Sequence, residues 1–274
     1  MTEAGREKLR RLRAEDIPRA AQLSAQAGWN QTEEDWRTLL DLSPEGCLAI
    51  EVDGHLAATT TLLCYGRRLA WIGMVLTKAA YQRRGFARRL LAHALEIADK
   101  MGIATIKLDA TDQGQSLYES LGFRKEREIE RWSRPGENAA QLPVGRTSVA
   151  EPWHELDAGV FGADRSQLLA RLAQLTPPSS ISKSYLFSRP GHASGYLGPC
   201  ISENPGTARR MIEECVQNTR SGWSWDLFPR NQDAVALARD LGFSPRRHLV
   251  RMARGKELCE RENAIYAIAG FELG

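Results

Sequence analysis

The sequence predicts an α/β protein: an α+β mixed sheet built in two similar halves, each mostly antiparallel with a parallel βαβ unit at its centre. Three observations predict it. Residues 47–76 read as three consecutive antiparallel strands, with Asp53-Gly54 as the turn between the first two. From Trp71 to Lys100 an apolar run passes through a glycine-centred basic turn into an amphipathic helix, and a buried-looking strand follows at 104–110. Two anchors then recur at an offset of about 120 residues. Gly85-Phe86-Ala87-Arg88-Arg89 returns as Gly206-Thr207-Ala208-Arg209-Arg210, and Leu121-Gly122-Phe123 as Leu241-Gly242-Phe243.

Each element has a local cause. Residues 6–13 set Leu9 and Leu12 among charges and read as a first strand. Asp16, with Pro18 two positions on, starts a helix that ends near Gly28. Thr32 with Asp35 forms a capping-box pattern, and Trp36, Leu39 and Leu40 give that second helix an apolar face. Ser43-Pro44-Glu45-Gly46 turns the chain into strand 47–52, strand 55–65 returns, and Gly66-Arg67-Arg68 turns it again into 69–76. After Gly85 the residues Ala87, Leu90, Leu91, Ala94, Leu95 and Ala98 keep helical spacing up to Gly102. Thr111-Asp112-Gln113-Gly114 is a loop and cap, 116–121 a short helix stopped by Gly122, and 123–132 a strand.

Residues 133–150 carry two prolines, two glycines and little periodicity, so the domains are 1–135 and 151–274 with a linker at 136–150. In the second half, 153–159 and 166–175 read as helices, 185–188 and 196–202 as strands, and the apolar tail 265–273 closes the second sheet.

Composition narrows the function classes. A chain of 274 residues, 42% apolar and 26% charged, buries a core without staples. Five scattered cysteines without a Cys-x-x-Cys read as free thiols in a reducing compartment, and the five histidines lack metal-ligand spacing, so no metal is expected. No apolar run approaches membrane-helix length and the start of the chain is polar, so a cytoplasmic protein with no membrane partner is expected. A net charge of +3 without a continuous basic face argues against nucleic acid. A monomer or homodimer is expected.

A strand delivered to a helix N-terminus makes an anion site, because the first amides of a helix lack partners and its dipole favours negative charge. Here that turn is Gln82-Arg83-Arg84-Gly85-Phe86-Ala87. Gly85 lets the backbone approach a ligand closely, and Arg83, Arg84 and Arg88 offer charge-assisted contacts.

Gln82-x-x-Gly85-x-Ala87 after an apolar strand, followed by Leu117-Tyr118-Glu119-x-x-Gly122-Phe123, resembles the GNAT N-acetyltransferase superfamily. The chain as a whole resembles its tandem type, with an intact first copy and a degenerate second. The resemblance implies acetyl-CoA as cofactor, with its pyrophosphate on the turn and its pantetheine arm along Met74, Val75 and Leu76 as an added pseudo-strand. That strand would be splayed from its parallel neighbour. It implies Tyr118 as the general acid at the thiolate. Asp109 is the nearest carboxylate for a base, with a water chain or a purely structural Asp109 as alternatives. Thr111 stands where the family often has asparagine, and Asp112 or Gln113 would replace that contact. Trp29, Asn30 and Thr32 lie in the usual lid loop, and with Tyr65 and Trp71 they form the expected wall for the amine.

In the second copy Ala238 matches Tyr118, and Glu203-Asn204-Pro205 matches Gln82-Arg83-Arg84, so that half is expected to shape and support. Trp223, Trp225, Asp226 and Asn231 remain candidates for a shared cleft. The function expected is direct transfer of acetyl to the amine of a small or amino acid-like molecule. Two alternatives stay open: an acyl-CoA sensor without turnover, and a protein or peptide N-acetyltransferase.

Overall fold

The computed structural model describes residues 6–136, 153–217 and 219–274. The first half runs β1 (Glu7–Arg11), α1 (Ile17–Gln26), α2 (Glu33–Leu42), β2 (Cys47–Val52), β3 (His55–Tyr65), β4 (Leu69–Thr77), α3 (Phe86–Lys100), β5 (Thr105–Ala110), α4 (Asp112–Glu119) and β6 (Arg124–Arg134). The second runs α5 (Trp153–Phe161), α6 (Ser166–Leu175), β7 (Ser179–Ser180), β8 (Ser184–Arg189), β9 (Gly195–Ser202), α7 (Pro205–Gln217), β10 (Trp223–Leu227), α8 (Gln232–Asp240), β11 (Ser244–Gly255) and β12 (Ile265–Ala267). The linker expected at 136–150 lies outside the described residues apart from Gly136.

Local chemistry fixes most of these elements. Asp53 and Gly54 both adopt positive φ, 49° and 80°, as a two-residue hairpin of the primed type requires. The Thr32 hydroxyl accepts from the Asp35 amide, and the Asp35 carboxylate accepts from the Thr32 amide at 2.7 Å, so α2 starts where the capping box places it. Parallel pairing of β4 with β5 across α3, and of β9 with β10 across α7, gives each half its βαβ unit.

The two halves do not keep separate sheets. Among the described residues the strands form one sheet, in the order β1-β2-β3-β4-β5-β11-β6-β10-β9-β8-β7, with β12 on β9. Each half gives one late strand to the other: β11 pairs with β5 of the first half, and β6 pairs with β10 of the second. β6 and β11 lie antiparallel in the middle, where Leu249 faces Ile129. These two residues hold the same place in the duplicated sequence, so a pseudo-twofold axis passes between them.

One face of the sheet carries α1, α2, α5 and α6 over a core that includes Trp36, Leu39, Leu63, Phe161, Leu169, Ile129 and Leu249. The other face carries α3 and α4 over Ile72, Leu90, Leu95 and Leu108, and α7 and α8 over Met211, Ile212, Trp225 and Leu237. Among the described residues no helix is long and apolar enough to cross a membrane.

The tail does more than close the second sheet. β12 pairs with β9, but residues 270–274 cross back to the first half. There the Trp71 indole donates to the Phe271 carbonyl at 2.8 Å, and the Tyr65 hydroxyl donates to the Leu273 carbonyl. Gly73 makes room for this crossing, since a Cβ at that position would lie 2.8 Å from the Cα of Glu272.

Candidate active site

The site begins with an irregularity in β4. Gly73 faces Thr61 but Leu76 faces Thr59, so β4 carries one extra residue, and Met74 adopts φ 49°. Two threonine hydroxyls brace this bulge: Thr59 donates to the Met74 carbonyl at 2.8 Å and Thr60 to the Gly73 carbonyl at 3.3 Å. The bulge bends β4 away from β5. Their parallel pairing ends at Trp71 and Lys107, although β4 runs to Thr77 and β5 to Ala110. The splay expected from the resemblance is therefore present.

A pocket fills the gap. Its lining includes Ile72, Val75 and Tyr118, which belong to the α3/α4 side. It also includes Trp29, Gln31, Arg131, Arg247, Leu249, Phe271 and Glu272, and Met74 and Asp109 stand on the wall. Trp29, Met74, Leu249 and Phe271 pack in the core of the opposite face, so the pocket passes through the sheet from one face to the other.

Tyr118 sits on α4, with its ring over Gly114, where a Cβ would come within 2.8 Å of the ring. Its edge meets Phe123 at a centroid distance of 6.1 Å. Burial pushes its hydroxyl up to about 12, and that hydroxyl makes no hydrogen bond to another described residue. It is a protonated donor free to serve a ligand.

At the turn, Gly85 caps α3 with φ 79° and no side chain covers the first amides of the helix. A Cβ added there would meet nothing within 4 Å, so the space beside the turn is open. Arg83, exposed and at φ 61°, makes no ion pair among the described residues. Arg84 and Arg89 are held instead by Glu7 of β1, and the Arg84 guanidinium stacks 5.1 Å from the Phe86 ring. Arg88 donates to the Ser120 hydroxyl at 2.8 Å, and Gln82 to the Thr77 carbonyl at 3.4 Å. Phe86 and Leu76 are core residues, whereas Asp112 and Gln113 are exposed at the start of α4. Uncapped amides, an open cradle and a splayed strand leading to a free phenol fit a pyrophosphate joined to a long amide-bearing thioester.

The expected acceptor wall is only partly assembled. Trp29 lines the pocket. Asn30 points elsewhere and ties the halves together: its side-chain oxygen accepts from the Ala193 and Ser194 amides, and its nitrogen donates to the Ser194 carbonyl at 3.0 Å. Thr32 is spent as the α2 cap. Tyr65 and Trp71 are buried under the tail and lie off the pocket, Tyr65 against Phe161 and Trp71 beneath Arg251. Trp223 and Trp225 are core, Asp226 is paired with Arg131, and Asn231 caps α8, so none of these lines the cleft.

Asp109 reaches the pocket wall, but both its oxygens accept from Arg251 of β11, at 2.9 and 3.0 Å. Burial raises its carboxyl and the guanidinium pulls it back. One buried guanidinium grips Asp109 bidentately, a charge-assisted pair that makes it a poor proton acceptor, and its work is to join β5 to β11. A second carboxylate, Glu272, is bonded on both oxygens too, but by different partners: Oε1 accepts from Arg189 at 3.0 Å and Oε2 only from the neutral Gln31 amide at 2.8 Å, which leaves Oε2 the freer acceptor. Burial raises it above the usual carboxylate range, Arg189 pulls against that, and Asp35, which shares Arg189, pushes it up further.

Sequence reading missed Gln31, Arg131, Arg247 and Glu272. The repeat carried a signal for the arginines, since Arg127 and Arg131 recur as Arg247 and Arg251 at the same offset as the glycine anchors.

Comparison with known proteins places the chain in a family. The acetyltransferase (GNAT) family profile matches residues 9–123, and a second acetyltransferase (GNAT) domain profile matches 153–267. YitH, an uncharacterised N-acetyltransferase of Bacillus subtilis, is 28% identical over 250 residues, covering 86% of this chain and 88% of its own length. A holothin acyltransferase of a Pseudoalteromonas species is 22% identical over 90% of this chain and 87% of its own. A Pyrococcus horikoshii crystal structure, assigned provisionally to the acetyltransferases, superposes with a TM-score of 0.85 at 22% identity, over 100% of this chain and 97% of that one. A GCN5-related N-acetyltransferase of Sphaerobacter thermophilus gives 0.64 at 17% identity, over 92% and 98%.

Fold and family profiles together define an acetyltransferase. The chain belongs to the GNAT acetyltransferases and carries two GNAT domains in tandem. The general chemistry of that family is acetyl transfer from acetyl-CoA.

Proposed function

We propose that the protein transfers acetyl directly from acetyl-CoA to the amine of a small molecule, in the first half's splay and with a wall supplied by the second. The observation that carries this reading is the pocket that passes through the sheet, with a free phenol toward one face and a carboxylate toward the other. Acetyl-CoA, when bound, supplies the acetyl group as a thioester. The α3 amides behind Gly85 and the side chain of Arg83 hold its phosphates, and Met74 and Val75 orient the arm.

Glu272 takes the proton of the attacking amine at a carboxylate oxygen as the C–N bond forms. Tyr118 gives its hydroxyl proton to the departing sulfur as the C–S bond breaks. No cysteine lines the pocket, which supports direct transfer over a covalent relay. Walls formed by Trp29, Phe271 and Arg247 favour a small acceptor over a protein chain.

The test is thiol release from acetyl-CoA across a panel of amines. Tyr118→Phe is expected to lower kcat by about 100-fold or more while leaving acetyl-CoA affinity in place, and Glu272→Gln to lower kcat/KM by a comparable factor. Full turnover by Tyr118→Phe at saturating acetyl-CoA would remove the acid assignment. Failure of acetyl-CoA to bind would remove the reading itself.

A further inference from the structure

The pseudo-twofold axis makes the central arginines comparable in pairs. Arg251 and Arg131 are one pair, and each grips an aspartate on both oxygens: Arg251 holds Asp109 at 2.9 and 3.0 Å, and Arg131 holds Asp226 at 2.7 Å twice. Arg127 and Arg247 are the other. Arg127 lies 5.6 Å from the Phe228 ring and pairs with Glu260 and Glu262 at 3.1 and 3.3 Å. Arg247 lies 5.7 Å from the Trp29 ring, but has no carboxylate partner among the described residues. It lines the pocket and is only partly exposed.

The other charges on the pocket wall, those of Asp109, Arg131 and Glu272, are all answered. Burial and then the neighbouring Arg131 lower the pKa of Arg247, and Asp226, already gripped by Arg131, pulls only weakly the other way. Beside it, Gln31 is 7% exposed and its Oε1 is buried with no donor, although its Nε2 is bonded to Glu272. A buried acceptor and a half-buried cation left without partners on the lining of one pocket cost free energy unless a ligand meets both.

We propose that Arg247 and Gln31 are the recognition end of the acceptor site, and that the acceptor is an amine carrying a carboxylate, of the amino acid class. The carboxylate lies in the Arg247 fork, and Gln31 Oε1 accepts an N–H from the acceptor. The amine is then held on the Glu272 side of the splay. This rests on the acetyl-transfer reading above and names its acceptor class. It also gives the second half a direct part, because Arg247 arrives on β11.

The experiment measures acetyl-CoA-dependent thiol release with free amino acids, with their amides and with the matching decarboxylated amines. Acetyl-CoA affinity is measured separately by titration. At least one amino acid is expected to be preferred over its amide by about 10- to 100-fold in kcat/KM, as one charge-assisted pair provides. In Arg247→Met that preference should collapse through a raised acceptor KM, with acetyl-CoA affinity kept, and Arg247→Lys should restore part of it. Gln31→Leu should weaken the acid and its amide alike.

Amides or decarboxylated amines used as well as the acids would overturn the proposal. So would an Arg247→Met enzyme with its preference intact, or no amino acid accepted by a protein that binds acetyl-CoA. Loss of acetyl-CoA binding in the wild type would instead fell the acetyl-transfer reading, and this proposal with it. Melting curves of the three variants check that each is folded.

Discussion

Tyr118 and Glu272 are both moved upward by burial, and the consequence is a particular pH profile. Glu272 must be ionised to accept a proton, so kcat/KM should rise as pH climbs through its raised value. Tyr118 must stay protonated to donate, and at about 12 it does so across the accessible range. No downturn is therefore expected below about pH 10 for a phenol shifted up from its reference value. Measured profiles check this, and Glu272→Gln should lose the acidic limb. Arg251 and Asp109 pose a stability question. With side chains 1% and 0% exposed, removing one partner strands a buried charge. Arg251→Met should cost about 3–5 kcal/mol in urea denaturation, and the further change Asp109→Leu should recover much of it, because the apolar pair leaves no charge unmatched.

At the scale of elements, β4, the turn and α3 were legible because their signals are local. The capping box at Thr32, the primed turn at Asp53-Gly54 and the left-handed Gly85 each depend on a few neighbours, and each stands where the residues predict. The splay of β4 came only with the family resemblance, since Gly73-Met74-Val75 carries no turn signal of its own. Asn30, Tyr65 and Trp71 were read as a substrate wall because aromatic and amide side chains suit an amine-bearing ligand. What claims them is the other half of the chain, which a local window does not contain. The turn also carries an element-scale prediction. Gly85→Glu sets a negative charge against the open α3 amides at a φ that disfavours any side chain. It should weaken acetyl-CoA binding by at least about tenfold, about 1.4 kcal/mol, as read by titration calorimetry.

At the scale of the molecule, the exchanged strands make the halves one cooperative body. Cutting between them would leave β5 without β11 and β10 without β6, and would strip Asp109 and Asp226 of their arginines. A single unfolding transition is expected, coincident by far-ultraviolet circular dichroism and tryptophan fluorescence. Two separated transitions would contradict it. The same exchange explains why Arg247 was invisible to motif reading, since its meaning depends on which strands β11 pairs with.

The exchange also sets a timetable for synthesis. Ala110 finds its partner only in Val250, about 140 residues later in the chain. At roughly 5–20 residues per second a ribosome takes about 7–28 s to deliver that partner. During that interval the nascent first half has its turn, its helix and its phenol, but an open sheet edge on β5 and an unanswered Asp109. Its cleft is finished only when β11 and the 270–274 segment have emerged, so the first half stays incomplete through that interval.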